Sequence, residues 1–322
     1  MLTLALALSA SAATLDLLPV ADTMLCEATT ESNGAGDYLF VGKTGEADGV
    51  DIRRALLRYD VAGALPAGAT ITSAELTINV SRSARNAGNA DATLHRLNAS
   101  WGEGLAHASG GEGRCVVDVD GGATWGNAIE PITPWSSPGG DFDPVASATV
   151  TIDGVGPFTW SSTAATVADA QAWLDSPGSD HGWLVRGDEV PAASATRFDS
   201  RENFNGGAVL TVGFDAPPLV LSELTPGVAG TSNDVTVSSA MPNTGLGVVF
   251  GFAAGSTAVP GCPGLTVAVD AAQIAVTGPA DASGVATLGG AVGVGASGTT
   301  VHVQAVQPAT CTVSNVVVHA FP

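Results

Sequence analysis

Two short runs in this chain place carboxylates two residues apart, Asp118-Val119-Asp120-Gly121-Gly122 and Asp141-Phe142-Asp143. In an extended backbone residues i and i+2 project to one side, so each pair can share a hard cation, and all-oxygen ligands suit calcium. Asp118, Asp120, Asp141 and Asp143 are therefore calcium candidates, although the loop spacing of an EF-hand or a glycine-rich calcium repeat is absent and solvated acids are the competing reading. Trp101, Trp125 and Trp135 fall in the same irregular stretch. An exposed indole there can stack on the apolar face of a sugar, whereas a packed one anchors the loop beneath it. Trp160, Trp173 and Trp183 sit in periodic segments and read as core.

Catalysis finds no support. The chain has no G-x-S-x-G elbow, no H-E-x-x-H helix and no phosphate-binding glycine loop. Its five histidines, His95, His107, His181, His302 and His319, have no partner placed by spacing, and 31 acids supply carboxylate pairs by chance. Arg186-Gly187-Asp188 spells an integrin-type tripeptide that chance and strand-end geometry explain better. The expectation is a non-enzymatic protein with no cofactor beyond a calcium ion.

Four cysteines allow three pairings. Cys26 and Cys115 lie in the first half and Cys262 and Cys311 in the second, so one bridge per half is the simplest arrangement, with free thiols or a metal site as alternatives. None is spaced as C-x-x-C. Disulfides would place the chain in an oxidising compartment, secreted or at the cell surface.

Composition agrees. A formal net charge of -20 with a single lysine, Lys43, repels nucleic acid, polyanionic polymers and anionic headgroups. The 41 glycines and 18 prolines suit many short strands and tight turns. Residues 2–13 form an apolar run ending in Ala10-Ser11-Ala12, which has the pattern of a secretory signal, yet no basic residue precedes it. Leu2, Leu4, Leu6 and Leu8 also alternate as on a strand with one buried face, and such a strand can pair with a neighbour's open sheet edge. No later run is long and apolar enough for a transmembrane anchor.

A boundary falls at Asp215-Ala216-Pro217-Pro218, where a strand-like run meets two prolines. All six Trp and all eleven Lys and Arg precede it. Alternation predicts strands over 38–42, 54–61, 74–80, 92–97, 148–152, 183–186 and 209–214. Ser162 or Thr163 is placed to cap a helix running through Val167, Ala170, Trp173 and Leu174 until Pro177-Gly178 stops it. The stretch 101–144 has little periodicity, and a loop that long in a compact domain is a functional surface or is tied down. In the second part, alternation at 235–237, 248–252, 265–269, 301–306 and 313–321 fits roughly seven short strands, the spacing of an immunoglobulin-like sandwich. Arg54, Arg58, Arg197 and Arg201 are expected to neutralise carboxylates such as Asp60, Asp199 or Glu202.

An ordered set of blocks carries a resemblance. Asn33-Gly34-Ala35-Gly36-Asp37-Tyr38-Leu39-Phe40-Val41-Gly42, Arg54-Ala55-Leu56-Leu57-Arg58-Tyr59-Asp60 and Leu65-Pro66-Ala67-Gly68-Ala69-Thr70-Ile71 are followed by Gly139-Gly140-Asp141-Phe142, Gly182-Trp183-Leu184 and Arg197-Phe198-Asp199-Ser200-Arg201-Glu202. Over most of residues 15–215 this succession resembles the DNRLRE (disaggregatase-related) domain family. The resemblance implies a jelly-roll-like β-sandwich, an accessory module of secreted and surface proteins, some of which bind polysaccharide. The second part is similar to small cysteine-bridged modules that follow such domains in bacterial surface proteins.

The sequence thus predicts an all-β chain: a signal peptide or apolar strand over 1–13, a jelly-roll-like β-sandwich over 14–217 and a smaller immunoglobulin-like β-sandwich over 218–322. The function expected is extracellular recognition or adhesion, with a neutral glycan or another surface protein as partner and Trp101, Trp125 and Trp135 as the contact residues. The alternative is a structural subunit of a self-assembling filament or surface layer joined by its N-terminal strand.

Overall fold

The computed structural model describes residues 12–27, 30–45, 51–83 and 90–322. Of the N-terminal apolar run, residues 2–11 lie outside this description. The chain folds as antiparallel β-sheets with a sandwich-like arrangement and no closed barrel, and it divides into two compact units. One comprises Thr14–Val61 and Ile71–Gly213; the other includes Ala62–Thr70 and Phe214–Pro322. None of the described helices is long and apolar enough to cross a membrane.

In the larger unit the strand Thr70–Arg82 alternates as its sequence dictates, with Ala74, Leu76, Ile78 and Val80 buried. One strand joins the two halves of the sheet system. Tyr38–Lys43 pairs through Leu39 and Phe40 with Thr196–Asp199, and through Gly42 and Lys43 with Ile52–Arg58. The turn between these pairings falls at Gly42, whose φ of 101° is open to glycine, and whose missing Cβ leaves room for the carbonyls of Asp188 and Ser194. The half centred on Ile52–Arg58 continues through Trp183–Arg186 and Ala90–Arg96 to Ala148–Ile152, with Ala21–Cys26 on the other side of Ile52–Arg58.

Every residue of Ala21–Cys26 is buried, as are the five central residues of Ile52–Arg58, so both faces of this half are covered. On one face Trp183 meets Tyr59 and Trp173 edge to face, at 6.4 and 4.7 Å between ring centres. Trp173 is carried by the helix Ala164–Asp175, whose N-cap is Thr163: its hydroxyl accepts the Thr166 N–H, and the Thr166 hydroxyl accepts the Thr163 N–H in return. On the opposite face Ala21, Leu25, Leu56 and Leu184 form one cluster with Leu97, Trp101, Ala123, Ala128 and Trp135. The long aperiodic stretch is therefore a third layer lying on the sheet.

The smaller unit packs a three-stranded sheet, Val220–Leu221, Ser232–Ser238 and Ala286–Ala291, with a five-stranded one ordered Gln273–Pro279, Gly245–Gly251, Thr300–Gln307 and Thr312–Val313, with Val317–Ala320 also on Thr300–Gln307. Val235, Val237, Leu246, Val248, Leu288, Val301, Val303 and Phe321 fill the space between them. Three strands here escape the alternation rule. Ala254–Ala258 is mostly exposed, Gln273–Pro279 is exposed along most of its length, and Ala286–Ala291 carries two glycines.

Both expected cross-links form, Cys26–Cys115 across 89 residues and Cys262–Cys311 across 49. On the chain-entropy model loops of this size contribute about 4 kcal/mol each.

Candidate metal centre and recognition surfaces

Two neighbouring buried cations hold the loop layer, Arg53, which donates through Nε to the Gly113 carbonyl at 3.0 Å, and Arg54. Arg54, on the strand Ile52–Arg58, donates through Nε and Nη2 to the two carboxylate oxygens of Glu189, at 2.7 and 3.1 Å, and through Nη1 to the carbonyl of Gly139 at 2.7 Å. Its guanidinium lies 4.7 Å from the ring centre of Trp125 and 5.4 Å from that of Phe142. Gly139 has φ of 92°, and a Cβ there would stand 2.5 Å from Arg54 Nη1. Arg186 adds a second ion pair to Glu189 at 2.7 Å. Burial raises the Glu189 pKa, but the hydrogen bonds and charges of Arg54 and Arg186 outweigh it and hold the group below the ordinary glutamate value.

This packing corrects the expected role of two tryptophans. Trp101 is 3% exposed with Nε1 donating to the carbonyl of His181, and Trp135 is 5% exposed with Nε1 donating to that of Thr124. Their rings anchor the layer on the sheet and offer no face to a sugar. Trp125 is half-buried with Arg54 on one face, so it alone of the three reaches the surface.

The four aspartates proposed for calcium are also placed otherwise. Asp118 is buried: Oδ1 accepts the N–H groups of Asp120 and Gly122, and Oδ2 accepts the Ser32 hydroxyl. Asp120 is exposed. Asp141 accepts both the N–H and the hydroxyl of Ser136 and the N–H of Ser137, and Asp143 accepts the N–H of Val145. Loop donors engage Asp118, Asp141 and Asp143, because turns of this kind recruit Asp to satisfy their own backbone.

A different set of acids converges in the larger unit. Oxygens from Asp22, Glu103 and Glu202 lie within 4.8 Å of one another. Asp22 stands on the strand Ala21–Cys26 and is 1% exposed. Glu103 is fixed by glycines: a Cβ on Gly34 would stand 1.8 Å from the Glu103 carbonyl oxygen, and one on Gly102 would stand 2.0 Å from that of Gly121. Arg201 and Glu202 follow the strand Thr196–Asp199 in the next turn. The Asp22 N–H donates to Glu103 Oε1 at 2.9 Å, and the Arg201 N–H donates to Asp22 Oδ2 at 2.8 Å. Arg201 Nε lies 2.7 Å from Glu103 Oε1 and 2.8 Å from Glu202 Oε1. Asp22 Oδ1 and Glu202 Oε2 are buried with no hydrogen-bond partner. Burial, then the nearby Glu202 and Glu103 charges, push the Asp22 carboxyl well above its usual range against the opposing pull of Arg201. Burial also raises Glu202. No motif marked these residues, since they come from three distant parts of the chain.

Of the arginines expected to neutralise acids, Arg54 does so with Glu189, and Arg201 with Glu103 and Glu202. Arg197 instead lies 3.7 Å over the Tyr38 ring, and Arg58 lies 5.2 Å over that of Trp101. His95 is buried, its Nδ1 facing the carbonyl oxygen of Asp143 at 2.8 Å and its pKa lowered by burial, which is a structural placement. His319 is half-buried with Nε2 facing the Gly227 carbonyl at 2.9 Å.

The smaller unit has an apolar groove of about 590 Å³ lined by Val248, Phe250, Phe252, Ile274, Val292 and Phe321 among others. The strand Gln273–Pro279 ends its sheet and borders this groove, and it also borders a second one of about 830 Å³ on the other side. Ile274 and Phe252 are exposed there.

No family model and no curated protein matches the chain. The DNRLRE resemblance therefore stands on the ordered residue blocks alone. Among solved structures, the adhesin domain of Epf from Streptococcus pyogenes is 8% identical, with 94% of this chain and 91% of that chain covered at a TM-score of 0.29. The N-terminal domain of the Streptococcus gordonii adhesin Sgo0707 is 9% identical, with 98% and 93% covered at a TM-score of 0.20. Superpositions this loose specify no shared topology.

Proposed function

We propose that the chain is a secreted, non-enzymatic protein of extracellular recognition and adhesion, with a neutral carbohydrate as the ligand of its loop layer. The observation that carries this reading is the layer itself. A long aperiodic segment fixed by a disulfide, by buried Trp101 and Trp135 and by the Arg54 clamp is a preorganised surface, which lowers the ordering cost of binding. Trp125 is the loop ring left to meet a sugar, and a net charge of -20 disfavours acidic glycans. The two disulfides support an oxidising compartment. The DNRLRE resemblance, with a jelly-roll-like domain over 14–217 and an immunoglobulin-like module over 218–322, belongs to the same proposal. On an array of neutral glycans the full chain is expected to bind, and Trp125→Ala to weaken binding at least tenfold with an unchanged circular dichroism spectrum. A blank array with calcium present would remove the carbohydrate ligand.

A second reading, self-assembly, is favoured by the strand Gln273–Pro279. It ends its sheet, carries no charged side chain and is flanked by apolar grooves. Residues 2–8 of a second copy are the occupant argued for: they alternate Leu with small residues, are uncharged and match the seven residues of the edge. Light scattering should then give assemblies for the chain that retains residues 2–8 and monomers for the chain that lacks them. Equal masses would sink this reading.

A further inference from the structure

We infer that Asp22, Glu103 and Glu202 form a calcium site, with one ion held per chain. The site does not depend on which ligand the loop layer takes. The three carboxylates and Arg201 sum to a net charge of -2 when all are ionised, which one divalent cation cancels. Two buried oxygens, Asp22 Oδ1 and Glu202 Oε2, receive no N–H or hydroxyl donor, with Asp22 itself 1% exposed, and the two carboxyl groups lie close enough to share a proton in the ion's place. A carboxylate is an acceptor only, so an ionised oxygen with no donor in a buried place requires a proton or a cation.

The donor set selects the ion. Oxygen-only ligands with no His or Cys exclude a zinc-like preference. Three carboxylates projecting from separate segments with water completing the shell suit the 6–8 ligands and loose geometry of calcium better than the strict octahedron of magnesium. Arg201 keeps the set in place: it binds both oxygens of Glu103 and Oε1 of Glu202, leaving Oε2 of Glu202 and Oδ1 of Asp22 toward the ion. The glycines at 34 and 102 hold the backbone of Glu103 at the depth this requires.

The test is calorimetric titration of calcium chloride into the chelator-stripped full chain, with thermal unfolding followed alongside. One ion is expected with a dissociation constant of about 0.1–1 mM, the range of extracellular modules. At 10 mM calcium the unfolding midpoint should rise by about 5 °C. Asp22→Asn and Glu202→Gln should each weaken binding at least tenfold, while Asp141→Asn leaves it unchanged. Asp22→Asn removes a buried charge, so its stripped form should be at least as stable as the stripped wild type. A merely structural carboxylate would instead lose stability with and without calcium. Absence of heat together with an unmoved midpoint, or a wild-type calcium response in Asp22→Asn, would overturn the site. Magnesium binding as tightly as calcium would overturn the choice of ion.

Discussion

Replacing Arg54 with Ala is expected to lower the stability of the larger unit by about 3–5 kcal/mol, the range for breaking a buried pair by removing one partner. The change strips Glu189 of a two-pronged partner, leaves the Gly139 carbonyl without its donor and empties the space between Trp125 and Phe142. Arg186 still reaches Glu189, which places the loss toward the lower end. Arg54→Lys keeps the charge but cannot engage both carboxylate oxygens in the same plane, so it should recover less than half. All six tryptophans belong to this unit, and denaturant unfolding followed by their fluorescence reads it selectively. A midpoint within the error of the wild type would show that the loop layer holds without the clamp.

Asp180→Asn is expected to raise stability at pH 8 by about 1–3 kcal/mol, discounted for the part of the group that water reaches. Burial drives the Asp180 pKa from 3.8 to about 7, against the Val61 and Gly182 N–H groups and the Arg58 charge, and Oδ1 has no partner. Because the folded value exceeds the unfolded one, the neutral form stabilises the fold fully below pH 3.8, and that contribution is lost as pH rises through about 7. The asparagine variant stays neutral throughout. Its advantage should therefore appear between pH 4 and 8 and vanish at the acidic end. Glu189 acts in the opposite direction: its lowered pKa gives stability that is lost as pH falls through the folded value, in both proteins alike. Urea midpoints at pH 4, 6 and 8 check this, and a gap that does not grow with pH would contradict it.

Local chemistry made much of the fold legible. Leu76, Ile78 and Val80 alternate in sequence and are buried in the strand Thr70–Arg82, because the side-chain period of a strand is two whatever it pairs with. Thr163 caps the helix, since its hydroxyl reaches an N–H three residues on without tertiary help. The expected strand over 54–61 begins earlier and ends earlier, at Ile52–Arg58, and Val61 opens a short helix, Val61–Ala64; apolar content alone does not distinguish the two.

The acid cluster was out of reach of the sequence. Asp22 and Glu103 are 81 residues apart and Asp22 and Arg201 are 179 apart, and only the packing of the loop layer and a turn against the sheet brings them together. The same holds for the loop layer. Nothing local shows that Trp101 and Trp135 lie on Leu25, Leu56 and Leu184, because the stretch that carries them has no period and its burial is fixed by what it covers. By itself the sequence determined the β-rich class, the strand faces and the helix cap, all of which depend on residue type and near neighbours. Tertiary structure decided which carboxylates meet, which loop tryptophan stays only half-buried and which strand ends its sheet, since each is a relation between segments far apart in the chain.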